Sequence, residues 1–299
     1  MLAKNSAPSI FSKVALIGKF QAEGMAQLIE DLARLLALQG CQIFLEEETA
    51  RSTKLMGFAS LRLQDLVGQV DAIIVIGGDG TLLGVGRHIA GTNIPVIGIN
   101  MGRLGYMTDI PIQDIETVLP TILAGNYEAD SRSLLEAEVV RQGEPAHHGL
   151  ALNDVVVNRS SLTGMVELAV HVNGSFMYNQ RSDGLIVATP TGSTAYSLSA
   201  GGPILHPRID GVVLTPIAPH ALSNRPIVLP SDVEISIEVT GGKDVCAHFD
   251  MQSLSILQIG DRVLVKKSSK LVTLLHPQGH SDYRTLREKL HWNEYPSSV

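Results

Sequence analysis

The sequence contains little cysteine, no excess of positive charge and no unbroken apolar segment of membrane-spanning length. Its 299 residues include two cysteines, Cys41 and Cys246, which are far apart and match no metal-ligand spacing. A disulfide framework is therefore excluded, and a reducing compartment is the simpler assumption. Lysine and arginine number 23 against 30 aspartates and glutamates, a formal charge of −7. Sequence-independent nucleic-acid binding needs a dense basic surface, so we expect no nucleic-acid partner.

One uncharged stretch has the length of a membrane span but not its composition. Residues 184–207 include three prolines and four glycines, and these breaks would leave backbone groups unpaired in lipid. Residues 1–20 contain no apolar segment long enough for a signal peptide. We expect a cytoplasmic protein without a membrane partner.

Length and pattern together predict two domains, at about 150 residues each. Up to about residue 126, short apolar runs such as 71–76 and 96–99 alternate with helical periodicity such as 25–36. This alternation is typical of an α/β domain with a mostly parallel sheet. Beyond it, many short strands at regular spacing predict a β-sandwich or open barrel, with hairpins at Asn173-Gly174 and Thr240-Gly241-Gly242.

The sharpest local signal is the turn Gly77-Gly78-Asp79-Gly80-Thr81, which directly follows the apolar run 71–76. Ligands of open α/β sheets bind beyond the carboxyl ends of the strands, and glycines let a phosphate or sugar approach the backbone. Thr81 is the predicted cap of the following helix, whose first N–H groups would face an anion. The alternative is a tight strand-to-helix connection in which Asp79 is a local cap.

Three further groups of polar residues are candidates for ligand binding. The run from Thr189 to Ser197 is rich in hydroxyls that could bond a ribose or a phosphate, but it also fits a solvated loop. Asn153-Asp154 could share a diol between them or form an ordinary Asx turn. Arg181-Ser182-Asp183-Gly184 sets a cation and an anion just before a strand, where an exposed ion pair is the plainer interpretation.

In their order along the chain, these motifs resemble those of the NAD kinase family. The resemblance rests on the glycine turn, on Asn153-Asp154 where the family has Asn-Glu or Asn-Asp, and on the two segments that begin at Arg181 and Thr189. It extends through 200–204 and 250–252 to His276-Pro277, and the overall pattern is closest to the enzymes of Gram-negative bacteria. The glycine turn alone also occurs in diacylglycerol kinases, sphingosine kinases and phosphofructokinases.

The resemblance implies an α/β plus all-β architecture. A Rossmann-like domain would cover residues 1–126, a β-sandwich domain that forms the NAD cleft would cover 127–275, and the segment 276–299 would return to the first domain with its helix. The resemblance also implies a homodimer or homotetramer. It implies a divalent cation, Mg²⁺, that is carried by the phosphates of ATP and not fixed by protein side chains.

The implied reaction transfers the γ-phosphoryl group of ATP to the 2′-hydroxyl of the adenosine ribose of NAD and yields NADP. Asp79 is the predicted base that takes or orients the hydroxyl proton, and the phosphate loop consists of Gly77, Gly78, Gly80 and Thr81. The predicted NAD-binding residues are Asp79, Gly80, Asn153, Asp154, Arg181, Asp183, Thr194, Ala195, Tyr196, Ser197, Leu198, Ser199 and Gln252. One stretch, Asn158–Gly164, departs from the family pattern, so the resemblance does not imply a ligand contact at Gly164.

Two rival functions remain open at this level. A lipid or sphingoid-base kinase could be built on the same glycine turn, although the acidic chain shows no basic amphipathic helix. A non-catalytic NAD or NADP sensor would need no carboxylate such as Asp79 within the turn.

Overall fold

The computed structural model describes residues 8–19, 23–102, 104–160 and 164–292. The chain divides into two units: Met1–Ser131 together with Val272–Val299, and Arg132–Leu271. The boundaries expected from the sequence were 126/127 and 275/276. Within the described ranges, none of the helices is long and apolar enough to cross a membrane.

The first unit is an α/β layer around a parallel sheet. Its elements in chain order are β1 (Lys13–Gly18), α1 (Met25–Leu38), β2 (Gln42–Glu46), α2 (Glu47–Thr53), β3 (Ala59–Leu61), β4 (Ala72–Gly77), α3 (Asp79–Ile89), β5 (Val96–Asn100), β6 (Ile110–Pro111) and α4 (Ile115–Leu123). The strand order is β3-β2-β1-β4-β5, with parallel pairing throughout. This is the Rossmann-like order that the resemblance implied.

Burial explains why these segments form these elements. Every residue of β4 is buried, as expected for a central strand covered on both faces. Helix α1 buries Met25, Ile29, Leu32 and Leu36 at helical spacing. It ends just before Gly40, whose positive φ of 84° suits the position after a helix.

The second unit is a β-sandwich whose two sheets share one apolar core. Its elements are β7 (Tyr127–Arg141), β8 (Glu144–Ala151), β9 (Asp154–Arg159), β10 (Val166–Val172), β11 (Ser175–Ser182), β12 (Gly184–Ala188), α5 (Tyr196–Ser199), β13 (Gly211–Ile217), β14 (Ile227–Pro230), β15 (Ile235–Gly241), β16 (Val245–Phe249), β17 (Ser253–Ile256) and β18 (Arg262–Pro277). One sheet has the order β14-β13-β12-β9-β16-β17, and the other joins β11, β10, β15, β18, β7 and β8.

The chain then re-enters the first unit. Residue Leu274 of β18 pairs in parallel with Val96 of β5, and the last helix, α6 (Asp282–Leu290), belongs to the first unit. The α/β plus all-β fold is confirmed. The end of the predicted C-terminal segment, 293–299, lies outside the described residues, as do 161–163 within Asn158–Gly164.

The structure confirms one predicted hairpin and overturns the other. Asn173 and Gly174 join β10 to β11 with φ values of 49° and 76°, the two-residue loop typical of hairpins. The hairpin at Thr240–Gly242 is wrong because β15 pairs with β10 and β18, whereas β16 lies in the other sheet.

Several strands escaped prediction because tertiary pairing outweighed local propensity. His147 and His148 lie in β8, opposite Val139 and Glu138 of β7, although their polar surroundings are typical of a loop. Strand β8 contains a proline and a glycine, which are unfavourable in strands, and its pairing with β7 holds it extended. The short strands β14 and β17 are likewise defined by their partners β13 and β16.

The Asn173-Gly174 loop gives a test of backbone strain. Gly174→Ala places a Cβ at a left-handed position, so we expect the protein to lose about 1 kcal/mol of stability, measured as a lower Tm in thermal unfolding. The control is Gly102→Ala, where φ is not positive and the added Cβ meets open space. Equal Tm values for the two variants would contradict the strained loop.

Candidate active site

Asp79 lies at the carboxyl edge of the parallel sheet, directly after β4 and its glycine turn. Helix α3 begins at Asp79 with Gly78 as its N-cap. The prediction that Thr81 caps this helix is therefore wrong, since Thr81 already lies in the first turn, where its N–H bonds the carbonyl of Gly78 at 3.0 Å. Gly77, Gly78 and Gly80 form the entry to the helix, as the sequence indicated.

The carboxylate of Asp79 binds the loop after β5. Three consecutive backbone N–H groups donate to it: Tyr106 at 2.8 Å, Met107 at 3.1 Å and Thr108 at 3.1 Å. The Thr108 hydroxyl adds a fourth bond at 3.1 Å. Gly105 must be a glycine because a Cβ there would overlap the Asp79 carboxylate. Asp79 is thus not a local cap but the anchor of a remote loop.

A lysine completes the surroundings of Asp79. Lys289 of α6 places its ammonium 3.3 Å from Asp79 Oδ2 and 4.4 Å from the centre of the Tyr106 ring. Burial raises the pKa of Asp79, but the Lys289 charge and the backbone N–H donors outweigh it and hold the pKa below its usual value. Asp79 is therefore ionised at neutral pH.

A second charged cluster attaches the C-terminal segment to the first unit. His276 and His280 both point Nδ1 at Asp109 Oδ2, at 2.9 and 2.8 Å, and their rings stack at 4.0 Å. Asp130 and Asp282 lie 3.7 Å from the two Nε2 atoms. Burial raises the pKa of Asp109, but the histidines lower it to about 2. The carboxylates of Asp109 and Asp282 raise the pKa of His280 to about 9.

Among the described residues, Asp109, His276 and His280 are the one histidine and acidic group close enough to share a metal ion. A tetrahedral zinc ion with ligands at about 2.0–2.1 Å would keep them roughly 3.3 Å apart. The observed separations of 2.8 and 2.9 Å fit hydrogen bonds instead. The three side chains therefore form a hydrogen-bonded cluster.

In the second unit, the Asn153-Asp154 turn is held by another carboxylate. Asp250 accepts the backbone N–H groups of Leu152, Asn153 and Asp154 at 3.0, 2.7 and 3.2 Å. Burial and then the charge of Asp250 raise the pKa of Asp154 to about 7. The pair is thus not a self-contained Asx turn, since its N–H groups are bonded to a residue about 97 positions away.

The hydroxyl-rich run forms a compact turn that bonds mainly to itself. A 3₁₀ turn at Gly192–Thr194 and α5 follow β12. The Thr189 hydroxyl donates to the Leu152 carbonyl at 2.6 Å, and Ser193 donates to the Pro190 carbonyl at 2.6 Å. This turn is therefore not a solvated loop.

The predicted NAD-binding residues of this run differ in accessibility. Ser197 is fully buried, and its hydroxyl bonds Thr215 at 2.8 Å. The Thr194 hydroxyl donates to the Thr191 carbonyl at 3.0 Å. At least partly accessible are Thr194, Ala195, Tyr196, Leu198 and Ser199.

The predicted partners Arg181 and Asp183 are not paired with each other. Arg181 faces Glu167 at 3.5 Å, whereas Asp183 bonds Arg159 at 2.9 Å. Gln252 is exposed just after Asp250 and donates its N–H to the Phe249 carbonyl at 3.0 Å.

Sequence reasoning missed the residues that hold the predicted ones in place. Asp250 lies within the resemblance to the family, but its contact with 152–154 was not predicted. Lys289 is 210 positions from Asp79, so no local pattern could reveal that contact. For other residues that form such contacts, the sequence contained two usable signals. His276 and His280 are four residues apart. Asn100, whose amide donates to the Thr108 hydroxyl at 3.1 Å, follows an apolar run just as the glycine turn does.

The first unit is Rossmann-like and has a glycine turn and an ionised carboxylate at its sheet edge. The same chain contains a β-sandwich unit, and together these features define a two-domain protein of the nucleotide-binding α/β class. Family models match both units: the ATP-NAD kinase N-terminal domain over residues 14–127 and the ATP-NAD kinase C-terminal domain over 152–276. The chain belongs to the ATP-NAD kinase family.

Curated relatives and solved structures agree with this membership. The chain is 57% identical to the NAD kinase of Ralstonia nicotianae, over 99% of this chain and 98% of the relative, and 56% identical to that of Cupriavidus pinatubonensis, over 96% and 94%. Its fold is similar to yeast NADH kinase complexed with NADH (TM-score 0.87, 24% identity, 99% and 91% covered). It is also similar to an Archaeoglobus fulgidus NAD kinase in complex with ATP (TM-score 0.75, 24% identity, 93% and 98% covered).

The titratable groups of the Asp109 cluster should make the stability of the protein depend on pH, with a loss at high pH and another at low pH. The pKa of His280 is raised from 6.5 to about 9, so its contribution is complete below pH 6.5 and is lost as the pH rises through 9. The pKa of Asp109 is lowered from 3.8 to about 2, so its contribution is complete above 3.8 and is lost as the pH falls through 2. Burial lowers the pKa of His276, but Asp109 and Asp130 outweigh it and raise that pKa, so His276 adds to the same dependence. We expect Tm to fall between pH 6.5 and 9 in the native protein and to fall less in His280→Gln, which keeps only the His276 contribution.

The control for this profile is His88→Gln, which changes an exposed histidine of α3 outside the cluster. It should keep the native pH dependence of Tm. If His280→Gln also kept it, His280 would not be the group that loses its proton.

Proposed function

We propose that this chain is an NAD kinase, which transfers the γ-phosphoryl group of ATP to the 2′-hydroxyl of the adenosine ribose of NAD and yields NADP. The observation that carries the proposal is the ionised Asp79 beside its glycine turn, in a chain that belongs to the ATP-NAD kinase family over nearly its whole length. The test is incubation with NAD, ATP and Mg²⁺, followed by an NADP-specific dehydrogenase readout. Absence of NADP would refute it.

Family membership disfavours the two rival functions. Phosphorylation of diacylglycerol by labelled ATP, in preference to NAD, would instead support a lipid kinase function. If calorimetry shows that NAD binds but no product forms in the presence of ATP and Mg²⁺, the result would support a non-catalytic sensor.

We assign Asp79 to the acceptor hydroxyl. The new bond joins the 2′-oxygen to the γ-phosphorus, the bond between the γ-phosphorus and the bridging oxygen to the β-phosphate breaks, and the hydroxyl proton passes to the carboxylate. The lowered pKa makes Asp79 a weak base, which suffices because the loose transition state asks mainly for orientation. Its two oxygens already accept five donors, about one more than they have lone pairs.

The donor that can yield to the substrate hydroxyl is Lys289. It is the one donor among the five on a long, flexible side chain, and its bond of 3.3 Å is the longest. The hydroxyl would then take its place at Oδ2, and the ammonium would remain nearby to neutralise charge on the phosphoryl group.

We assign the dinucleotide to the predicted residues of the second unit. Asn153 and Asp154 would hold the ribose on the nicotinamide side, Tyr196 would pack near a ring, and Thr194 and Ser199 would line the pocket. Asp183, held by Arg159, and Arg181 would form its wall, and Gln252 would add a contact. Ala195, Ser197 and Leu198 would shape the turn that presents these groups.

We propose that the metal ion, Mg²⁺, arrives with ATP. Both oxygens of Asp79 are occupied by N–H, O–H and ammonium donors, so this carboxylate is poorly suited as a metal ligand. Magnesium ions in such sites are commonly held through substrate phosphates. We further propose that the protein is cytoplasmic and assembles as a homodimer or homotetramer.

Replacing the Asp79 carboxylate tests its role. In Asp79→Asn the charge and most of the basicity are lost, and we expect kcat to fall by about 10²–10⁴-fold. The control is Asp71→Asn, which alters a carboxylate at the opposite edge of the same sheet that accepts the N–H groups of Ser12 and Lys13 at 2.8 Å. That variant should lower Tm without changing kcat. If Asp79→Asn kept kcat within about threefold, its role in proton transfer would be excluded.

Removing metal ions tests the charge neutralisation. Chelation with EDTA should abolish turnover, and added Mg²⁺ or Mn²⁺ should restore it, because ATP and the attacking oxygen repel each other unless a cation screens them. Because the ion would be held by ATP, chelation should leave Tm of the free protein unchanged. Full activity after exhaustive chelation would remove the metal from the mechanism.

A further inference from the structure

In the second unit, the side chain of Asp250 accepts three consecutive backbone N–H groups. Its Oδ1 accepts Asn153 N at 2.7 Å and Asp154 N at 3.2 Å, and its Oδ2 accepts Leu152 N at 3.0 Å. Its own N–H donates to the Asp154 carbonyl at 2.9 Å. Side chain and backbone together therefore tie both ends of the turn to one residue.

The backbone of Asp250 is itself unusual. Asp250 and the next residue, Met251, have φ values of 52° and 54°, in the left-handed region that non-glycine residues avoid. Asp250 is only 6% exposed and follows Phe249, a buried residue of β16. A strained conformation persists only where the surroundings over-determine it. In this conformation, the Asp250 carboxylate accepts three successive backbone N–H groups.

The turn held by Asp250 is also joined to the hydroxyl-rich run. The Asn153 carbonyl accepts the N–H of Thr189 at 2.8 Å, and the Thr189 hydroxyl bonds both the Leu152 carbonyl and the N–H of Gly192. The two groups of predicted NAD-binding residues, 153–154 and 194–199, therefore share one hydrogen-bonded framework with Asp250 at its base.

We propose that Asp250 is a positioning residue for NAD binding, which fixes the direction in which Asn153 and Asp154 are presented to the dinucleotide. This proposal rests on the proposed function. A group held by several charge-assisted bonds is pre-organised, and a small displacement of a binding group is costly. Asp250 need not touch NAD for this role.

Asp250 also acts on Asp154 through its charge. The like charge, added to burial, places the pKa of Asp154 at about 7. Across β12 the residue in register with Asp154 is the uncharged Ala188, and on β16 the titratable neighbour is His248, whose pKa is lowered by burial. Loss of the Asp250 charge should therefore lower the pKa of Asp154.

The experiment compares Asp250→Asn with Asp261→Asn in the full chain. Asp261 is an equally buried carboxylate of the same unit that bonds Arg141 at 2.7 Å and the N–H of Gln258 at 2.8 Å, remote from the 152–154 turn. For each variant, the Kd of NAD is measured by calorimetry. KM for NAD, KM for ATP, kcat and Tm are also measured, with kcat/KM for NAD followed across pH 5.5–8.5.

We expect Asp250→Asn to raise Kd and KM for NAD by about 10- to 100-fold. Asparagine removes the charge and replaces one of the two accepting oxygens with an NH2 group, which cannot accept an N–H bond. KM for ATP should change by less than about threefold. In the native protein kcat/KM for NAD should rise with pH through about 7 as Asp154 ionises, and in Asp250→Asn this midpoint should move down by about one pH unit. Asp261→Asn should lower Tm but leave these quantities unchanged.

Three outcomes overturn the proposal: native NAD affinity and pH midpoint in Asp250→Asn, equal loss of NAD affinity in both variants, or equal weakening of ATP and NAD. If Asp250→Asn does not fold, Asp250→Glu decides. It keeps the charge on a longer stem, so weaker NAD binding with the native pH midpoint supports positioning, and native binding refutes it. If the native protein binds NAD but forms no NADP, the proposed function fails while the calorimetric comparison still tests Asp250.

Discussion

A carboxylate that accepts three consecutive backbone N–H groups is the interaction on which both groups of candidate site residues depend. Asp79 does this for residues 106–108 and Asp250 for residues 152–154. Hydrogen bonds to charged groups are worth about 1.5–3 kcal/mol each, and a buried charge without them would be costly. Each carboxylate therefore turns an irregular segment, which has no ladder of its own, into a rigid part of its unit.

This arrangement changes how the glycine turn is understood. Glycines near a carboxylate suggest that a ligand comes close, yet what comes close to Asp79 in the structure is the chain itself, at Gly105 and the N–H groups that follow. The carboxylate is consequently pre-oriented, and its pKa lies below the usual value. An orienting group of this kind suits phosphoryl transfer, where positioning and charge neutralisation outweigh proton abstraction.

The C-terminal segment contributes charge as well as structure. His276 and His280 bond Asp109, and α6 then carries Lys289 to Asp79. The cluster and the lysine are 9 residues apart at their nearest, in a segment that begins in β18 and ends in a helix. Secure attachment at the cluster therefore helps to fix where the ammonium lies, although the overall chain is acidic.

The sequence by itself determined the elements whose signal is local. Buried β-branched strands, the periodic helix α1, the Asn173-Gly174 hairpin and the strand-to-helix position of Asp79 all follow from short-range patterns, and the resemblance supplied the family and the two-unit fold. The sequence could not predict β8, whose composition disfavours a strand. It also could not show that β15 and β16 lie in different sheets. Only the tertiary structure decided which donors saturate Asp79, that Asp250 holds Asn153-Asp154, and that Arg159 and not Arg181 pairs with Asp183. These contacts join residues 24 to 210 positions apart. Propensity and spacing act over a few residues, whereas the hydrogen bonds that set a pKa or aim a turn are decided by the packing of the chain.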